Sequence, residues 1–314
     1  MSQNFRSLVI ANPHSANGSL GRKWDSIVPL LEDSLGKVDH RFTKAPRDAT
    51  KLCREALDGG AEMVVAVGGD GTISEVVNGF FSADGSPVND RAVLGILPFG
   101  TGGDLRKTLG IPKKLSKSTK MLAGRQTRRI DVGKMSYTDP DGNTQQQFFA
   151  NIASFGISGL VDQMVNRGGK ALGGRLAFAF GTIRAMRKYR TQVARFSVDG
   201  GEEFELPIVM SAIANGQFFG GGMRIAPEAS IDDGLFDIVS LGPMNMADLL
   251  LRGGRVYKGT HLDFPEVTFL RGKKIRAEPV DENEAILLDV DGETPGMLPA
   301  TFEIMPAALR LKVA

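Results

Sequence analysis

The residues best suited to chemistry cluster in a few glycine-rich or acidic segments. The first is Gly68-Gly69-Asp70-Gly71-Thr72, set between the apolar run Met63–Val67 and the helical Ile73-Ser74-Glu75. Glycines at a strand–helix junction let the backbone turn tightly and come within contact distance of a ligand. The free N–H groups at the start of the following helix then favour a phosphate. An aspartate among those glycines is unfavourable for a bare phosphate. Holding a Mg²⁺ that bridges phosphates, or orienting a water on that ion, gives it a purpose. An ordinary Asp-Gly turn needs one glycine, not three. The segment carries neither the Gly-Lys-Ser/Thr of a Walker loop nor a Gly-x-Gly-x-x-Gly.

A second loop, Pro98-Phe99-Gly100-Thr101-Gly102-Gly103-Asp104-Leu105, follows the next buried strand with the same logic. Thr101 offers a hydroxyl to a phosphate, and Asp104 is expected to cap the helix it opens. A third, Asn12-Pro13-His14-Ser15-Ala16 into Asn17-Gly18-Ser19, supplies small polar residues after the first strand. Later in the chain come Asn215-Gly216, Gly220-Gly221-Gly222, and Ser230 with Asp232-Asp233-Gly234. The Asp232-Asp233-Gly234 turn reads either as ordinary turn chemistry or as one carboxylate and neighbouring carbonyls around a hard cation. Asp289, Asp291 and Glu293 gather three carboxylates around Gly292. They read as a hairpin turn, or as one bearing a general base over a substrate hydroxyl.

Around these loops the first half alternates strand and helix. Ser7–Ala11, Met63–Val67 and Ala92–Leu97 are short apolar strands. Residues 22–35 form an amphipathic helix burying Trp24, Ile27, Leu30, Leu31 and Leu35, with Pro29 as a flaw, and residues 47–58 form another ending at Gly59-Gly60. Such alternation argues for a parallel α/β sheet with ligand loops at the strand C-termini. Beyond about Arg129 the runs are short and rich in β-branched and aromatic residues: Ile130–Tyr137, Gln147–Ile152, Arg195–Val198, Phe204–Ala214, Leu235–Leu241 and Ile286–Asp291. Turn signals at Asp141-Gly142, Asp199-Gly200-Gly201 and Asp291-Gly292 separate several of them, which indicates a mostly β second domain, a sandwich of antiparallel sheets. Residues 171–190 and 244–258 are helical interruptions, the first with Leu172, Leu176, Phe180, Ile183 and Met186 on one stripe. That stripe reads as core packing or as an acyl pocket or membrane-resting face. Ala307–Val313 is strand-like, and pattern alone leaves open whether it closes the β domain or returns to the first.

Composition narrows the classes. With 314 residues the chain has room for one large or two ordinary domains. Gly accounts for 39 residues without a period, which excludes collagen and directs attention to loops. The single cysteine, Cys53, excludes an internal disulfide and a cysteine-cluster zinc site, and His14, His40 and His261 are too scattered for a histidine metal centre or triad. No apolar run is long enough to span a bilayer and the start lacks a secretory stretch, so a cytoplasmic protein is expected. The formal charge of +2 conceals a segregation: residues 101–129 hold nine Lys/Arg and one acid, residues 167–195 eight and none, and residues 281–303 seven acids and no base. This pattern implies local affinity for anionic partners.

In combination, the ANPHSANG start, GGDGT, LPFGTGGDL followed four residues later by GIP, IDVG, NxxSxGxxG, the NG, GGG, P and DDG run and the late DGE resemble the soluble diacylglycerol kinase/sphingosine kinase catalytic family. They are most similar to its bacterial lipid kinase members. NAD kinases and phosphofructokinases resemble the chain more distantly through the GGDGT loop. The resemblance runs in order from Asn12 to Glu293. It implies an α/β ATP-binding domain over residues 1–128 and a β-sandwich lipid-substrate domain over 129–306, with ATP-dependent phosphorylation of a lipid hydroxyl in a cleft between them. By the same resemblance Asn12, Pro13, His14, Ser15, Ala16, Thr43, Gly68, Gly69, Asp70, Gly71, Thr72, Glu75 and Thr101 contact ATP. Ser230, Asp233 and Leu235 hold a Mg²⁺ with one carboxylate and two main-chain carbonyls. Glu293 accepts the proton, and Asp70 organises the reactive phosphate and is a rival for the base. One departure is Gly103 before Asp104, where many relatives have Asn. Peripheral, reversible contact with an anionic membrane surface is expected of a lipid substrate's enzyme, and a homodimer is compatible with the sequence. The rival readings are a kinase of the same fold acting on a soluble alcohol or nucleotide, and a nucleotide- or lipid-binding regulator. Nucleic-acid binding is disfavoured because residues 101–129 lack interleaved stacking aromatics.

Overall fold

The computed structural model describes residues 6–139, 141–161, 190–244 and 246–313. The helix expected at 171–190 and most of the basic stretch 167–195 lie outside the described residues. The chain divides into two compact units, Met1–Asp131 with Pro306–Ala314, and Val132–Met305.

In the first unit β1 (Ser7–Ala11), β2 (Asp39–Phe42), β3 (Met63–Gly68) and β4 (Val93–Pro98) run parallel in the order β2-β1-β3-β4. The continuous apolar runs of β3 and β4 are buried at every position, as strands covered on both faces must be. Five helices follow these strands: α1 (Ser15–Leu35), α2 (Asp48–Asp58), α3 (Asp70–Gly79), α4 (Asp104–Thr108) and α5 (Leu115–Ala123). Helix α1 buries Leu20, Trp24, Ile27 and Leu31 against Val9, Val65 and Val67. Leu30, expected on that face, is 37% exposed, because a stripe through 20, 24, 27 and 31 turns it outward beside Pro29. The spacing gives no sign of β2, an edge strand whose four residues are all exposed and which therefore has no apolar alternation. The long final strand β15 (Met297–Lys312) ends in this unit, pairing parallel with β4 at Arg310↔Val93 and Leu311↔Leu94. It bends at Ala307 (φ 50°), whose N–H donates to Asp131 Oδ1 at 2.6 Å.

The second unit is a pair of sheets. β7 (Ile152–Gly156), β10 (Met210–Ala214), β11 (Phe236–Leu241), β12 (Val267–Gly272) and β14 (Leu288–Val290) form one, in the antiparallel order β12-β11-β10-β7-β14. The other holds β8 (Gln192–Val198), β9 (Phe204–Ile208), β13 (Lys274–Pro279) and the start of β15, together with β5 (Thr127–Thr138) paired to β6 (Thr144–Phe149). The stretches expected as single strands at Gln147–Ile152 and Phe204–Ala214 are each divided, β6 from β7 and β9 from β10, and β12 is likewise divided from β13. At each division the chain leaves one sheet and enters the other, the corner of a closed sandwich. Residues facing inward make the core: Phe149 stacks on Phe236 (5.6 Å between centroids), and Phe155 lies between Phe196 (5.8 Å) and Phe302 (6.1 Å). The opposite face of the five-stranded sheet packs Ile152, Ala212 and Val239 with Val256 of α6 (Met246–Lys258).

Phe155→Ala removes a fully buried ring from the middle of that core. It should lower unfolding stability by about 3–5 kcal/mol, read as a shifted urea midpoint. An unmoved midpoint would mean that the inter-sheet core does not hold this unit together.

Candidate active site

The first unit's strand order reverses at β1, with β2 on one side and β3 and β4 on the other. Open α/β sheets bind ligands beyond the carboxyl ends of strands at such a switch point. There the segments leaving the strands are tied edge to edge. The Thr43 N–H donates to the Ala11 carbonyl (3.0 Å), the Asn12 N–H to the Val67 carbonyl (3.2 Å), and the Phe99 N–H to the Gly68 carbonyl (2.7 Å). Asn12, Thr43, Gly68–Thr72 and the loop carrying Thr101 therefore meet at one end of one sheet.

The two glycine loops pack backbone on backbone. A Cβ on Gly100 would stand 2.7 Å from the Gly69 Cα, one on Gly68 2.6 Å from Thr72 Oγ1, and one on Gly102 2.7 Å from Asp70 Oδ2. Asp70 is the first residue of α3, yet its carboxylate serves α4: Oδ2 accepts from the Gly103 N–H (2.7 Å) and Oδ1 from the Asp104 N–H (3.1 Å). The expected capping by Asp104 is thus replaced. Asp104 stands one residue inside α4 and accepts from Lys107 Nζ at 2.6 Å, while the unpaired N–H groups of the helix start take a charged acceptor from the other loop. Burial pushes the Asp70 carboxyl above its ordinary value and the Asp104 charge adds to this, against the lowering pull of the N–H groups at Gly103, Asp104 and Leu105. Gly71 is different: a Cβ there meets nothing within 4 Å. Packing does not require this glycine, and it leaves open space over the N-terminus of α3, where a phosphate is favoured.

The β1 loop and Thr43 are held by local bonds. Asn12 Oδ1 accepts from the His14 N–H (3.0 Å), and Ala16, Asn17 and Gly18 follow in the left-handed region at φ 51°, 56° and 75°. Two of these are not glycine, a cost of about 1–2 kcal/mol each, and backbone held in this way clusters at functional sites. Pro13 and Ser15 sit in the same turn, where the Ser15 N–H donates to the Asn12 carbonyl (3.0 Å). Thr43 is buried, and Thr101 is exposed. Glu75 points elsewhere: its Oε2 accepts from the Ala49 N–H (3.0 Å) in the first turn of α2, and its carbonyl from Thr50 Oγ1 (2.8 Å). It braces α2, the helix that follows Thr43.

In the second unit Glu293 ends a two-residue hairpin. Val290 and Glu293 exchange backbone bonds of 2.8 and 3.0 Å around Asp291 (φ 50°) and Gly292 (φ 91°), the positive pair that a type I′ turn requires. The buried Asp289 fastens the turn: Oδ1 accepts from the Gly292 N–H (3.0 Å) and Oδ2 from Ser154 Oγ (3.0 Å), which also bonds Ser158 Oγ (2.9 Å). Asp291 reaches the same strand, its N–H donating to the Ile152 carbonyl at 3.2 Å. The NxxSxGxxG segment is therefore the seat of the Glu293 turn, and a Cβ on its Gly159 would stand 2.6 Å from Leu287 Cβ. The structure also draws Asn215 to this seat: its N–H donates to the Asn151 carbonyl and its Nδ2 to the Ala150 carbonyl, each at 2.9 Å. Further along, Asp233 Oδ1 accepts from the Leu235 N–H (3.1 Å), and Ser230 Oγ donates to Asp232 Oδ1 (3.1 Å).

Residues 6–135 match the family described as diacylglycerol kinase catalytic domain, and residues 151–313 match the YegS C-terminal NAD kinase beta sandwich-like domain. The chain belongs to the soluble bacterial diacylglycerol kinase family. It is 28% identical over 298 residues to a diacylglycerol kinase of Bacillus subtilis (strain 168), covering 95% of this chain and 92% of that one. To a diacylglycerol kinase of Mycobacterium tuberculosis (strain ATCC 25618 / H37Rv) it is 27% identical over 304 residues, covering 96% and 93%. A solved diacylglycerol kinase of Bacillus anthracis str. Sterne shares the fold at TM-score 0.74 and 23% identity, covering 100% of this chain and 98% of that one. Yeast NADH kinase shares it at 0.54 and 13%, covering 99% and 84%. This lipid kinase thus has the fold of the nucleotide-using NAD kinases, and a kinase of this family takes its phosphoryl group from an ATP-type donor.

The kinase's oxygen donors suit a hard divalent cation at Asp233. Among the described residues no three His, Cys, Asp or Glu side chains converge on a metal position, so an ion here would draw on main-chain oxygens beside a single carboxylate. Asp237, four residues on, keeps a buried Oδ2 with no hydrogen-bond partner, while its Oδ1 accepts from Arg271 Nε at 2.7 Å. Sequence reasoning placed Asp289 beside Glu293 and Ser154 in a motif, but it missed the bond between them and gave Asp237 no part. Ser154 and Gly159 belong to a legible motif, but their partners lie more than a hundred residues away. Nothing in the pattern separates Asp237 from a strand's ordinary polar residue.

The glycines separate packing from binding. Gly100→Ala should cost about 1–3 kcal/mol of stability, since the Gly69 backbone cannot yield cheaply. Gly71→Ala should leave the unfolding temperature no lower while weakening ATP binding. Thermal unfolding with and without ATP reads both, and a Gly71→Ala protein with undiminished ATP stabilisation would remove the ligand from that helix start.

Proposed function

We propose that this lipid kinase transfers the γ-phosphate of ATP, taken up with Mg²⁺, to the hydroxyl of diacylglycerol or a related lipid. The observation that carries the reading is the carboxylate of Asp70 locking the two glycine loops together while Gly71 leaves the α3 N-terminus open. Such a cradle binds and orients phosphates and does little covalent work, which is what phosphoryl transfer asks of a protein. Gly68, Gly69, Gly71 and Thr72 approach the phosphates, with the Thr101 hydroxyl from the second loop. Asn12, Pro13, His14, Ser15, Ala16 and Thr43 line the rest of the nucleotide, and Glu75 supports it by bracing α2. Asp233 and the carbonyls of Ser230 and Leu235 would hold a Mg²⁺, which would supply positive charge for binding phosphate.

In the transfer the lipid oxygen attacks the γ-phosphorus, the bond from that phosphorus to the bridging β,γ-oxygen breaks, and the hydroxyl proton passes to the Glu293 carboxylate. Glu293 suits this role because the hairpin at Asp291-Gly292 holds it in place. Asp70 is the weaker candidate for the base, since both its oxygens already accept backbone N–H groups. The diacylglycerol substrate is suggested by the names of the relatives. A lipid acceptor implies work at an anionic membrane surface, reached reversibly. The exposed Lys113, Lys114, Lys117 and Lys120 support this, with no acid from Leu105 to Ile130. No helix among the described residues is long and apolar enough to cross a membrane.

Glu293→Gln should retain ATP affinity and lose about 10²–10⁴-fold in turnover, the usual worth of a positioned base. Wild-type turnover in that variant would remove Glu293 as the base. Asp70→Ala should lose both transfer and Mg²⁺-dependent ATP affinity, measured by calorimetric titration. Unchanged affinity would mean that the lock between the loops does not shape the nucleotide site.

A further inference from the structure

Arg271 binds together two acids that the proposed reaction treats separately. It stands on β12 directly across from Asp237 on β11, and its Nε donates to Asp237 Oδ1 at 2.7 Å. Its Nη2 donates to Asp233 Oδ2 at 2.9 Å, while the Leu235 N–H occupies Oδ1 of the same carboxylate. Asp237 is 1% exposed, its Oδ2 has no hydrogen-bond partner, and burial pushes its carboxyl up against the lowering pull of Arg271. Glu228 adds a third negative charge felt by both members of the pair. Two carboxylates thus bond one guanidinium within the field of a third, and a cation is the natural complement to the excess.

Resting on the reading of Asp233 as a Mg²⁺ ligand, we infer that the Asp237–Arg271 pair is a built-in counter-charge for that ligand. It holds the Asp233 carboxylate in place without the ion and competes with the ion for Oδ2. Asp237 is fixed in the strand ladder and cannot release Arg271 without leaving a buried charge uncompensated. The fork of the guanidinium lets one side chain serve both acids, Nε toward Asp237 and Nη2 toward Asp233, which the point charge of a lysine cannot reproduce. Arg271 is therefore a positioning residue. It preorganises the acidic turn, and it sets the divalent-cation demand of the enzyme by keeping a positive charge beside the ligand.

Mn²⁺ binding without ATP or lipid, followed by electron paramagnetic resonance, tests this, with thermal unfolding in EDTA and in Mg²⁺ alongside. Wild type should bind Mn²⁺, and Asp233→Asn should abolish that binding. Arg271→Gln should bind about tenfold more tightly, since a positive charge has left the ion's surroundings. Its unfolding temperature should fall in EDTA and recover with Mg²⁺. Arg271→Lys should lie between the two in affinity. Equal or weaker Mn²⁺ binding by a folded Arg271→Gln protein, with wild type binding normally, would overturn the counter-charge while leaving the metal site standing. Absence of Asp233-dependent binding in wild type would overturn the metal reading, and the inference with it.

Discussion

A single carboxylate sets the geometry of the two glycine loops of this kinase. Asp70 opens one helix and satisfies the start of another, so the loops after β3 and β4 cannot move independently. The chain accepts a partly desolvated charge to do this, and the Gly103, Asp104 and Leu105 N–H groups offset part of that cost. The glycines follow from the same constraint. Gly68, Gly100 and Gly102 have no room for a Cβ once the loops are drawn together, whereas Gly71 has room and faces the open helix start. The N–H groups at the start of α4 serve Asp70, and the start of α3 lies open at Gly71.

The turn that carries Glu293 is built differently, from segments distant in sequence. Ser154 and Asp289 are 135 residues apart, yet their bond fixes the hairpin that presents Glu293. Asn151 and Asn215 join β7 to the loop before Gly220 in the same region, through backbone and side-chain bonds. A tight turn with positive φ at Asp291 and Gly292 has little freedom of its own, so once Asp289 anchors it the position of Glu293 is decided by the sheet. The sandwich therefore acts as a rigid frame for one short turn.

Much of this was legible in the sequence, and for physical reasons. Fully buried parallel strands write themselves as unbroken apolar runs, so β3 and β4 and the loops at their ends were visible at once. The order of the motifs carried the family. What escaped was non-local or edge-placed. Strand β2 has no buried face, and the divisions of β6 from β7 and of β9 from β10 depend on a partner sheet that no local pattern records. The cap on α4 was misassigned for the same reason: a helix start followed by Asp104 gives no sign that Asp70, 34 residues earlier, already occupies it. Arg271 and Asp237 are unremarkable strand residues until the ladder sets them side by side.

The most direct test of the account is transfer of label from γ-labelled ATP into a mixed panel of lipids in micelles with Mg²⁺. The account predicts a labelled product in the organic phase, formed from a lipid bearing a free hydroxyl and dependent on Mg²⁺. Label appearing only in a water-soluble product, or none transferred by a protein that still binds ATP, would contradict it.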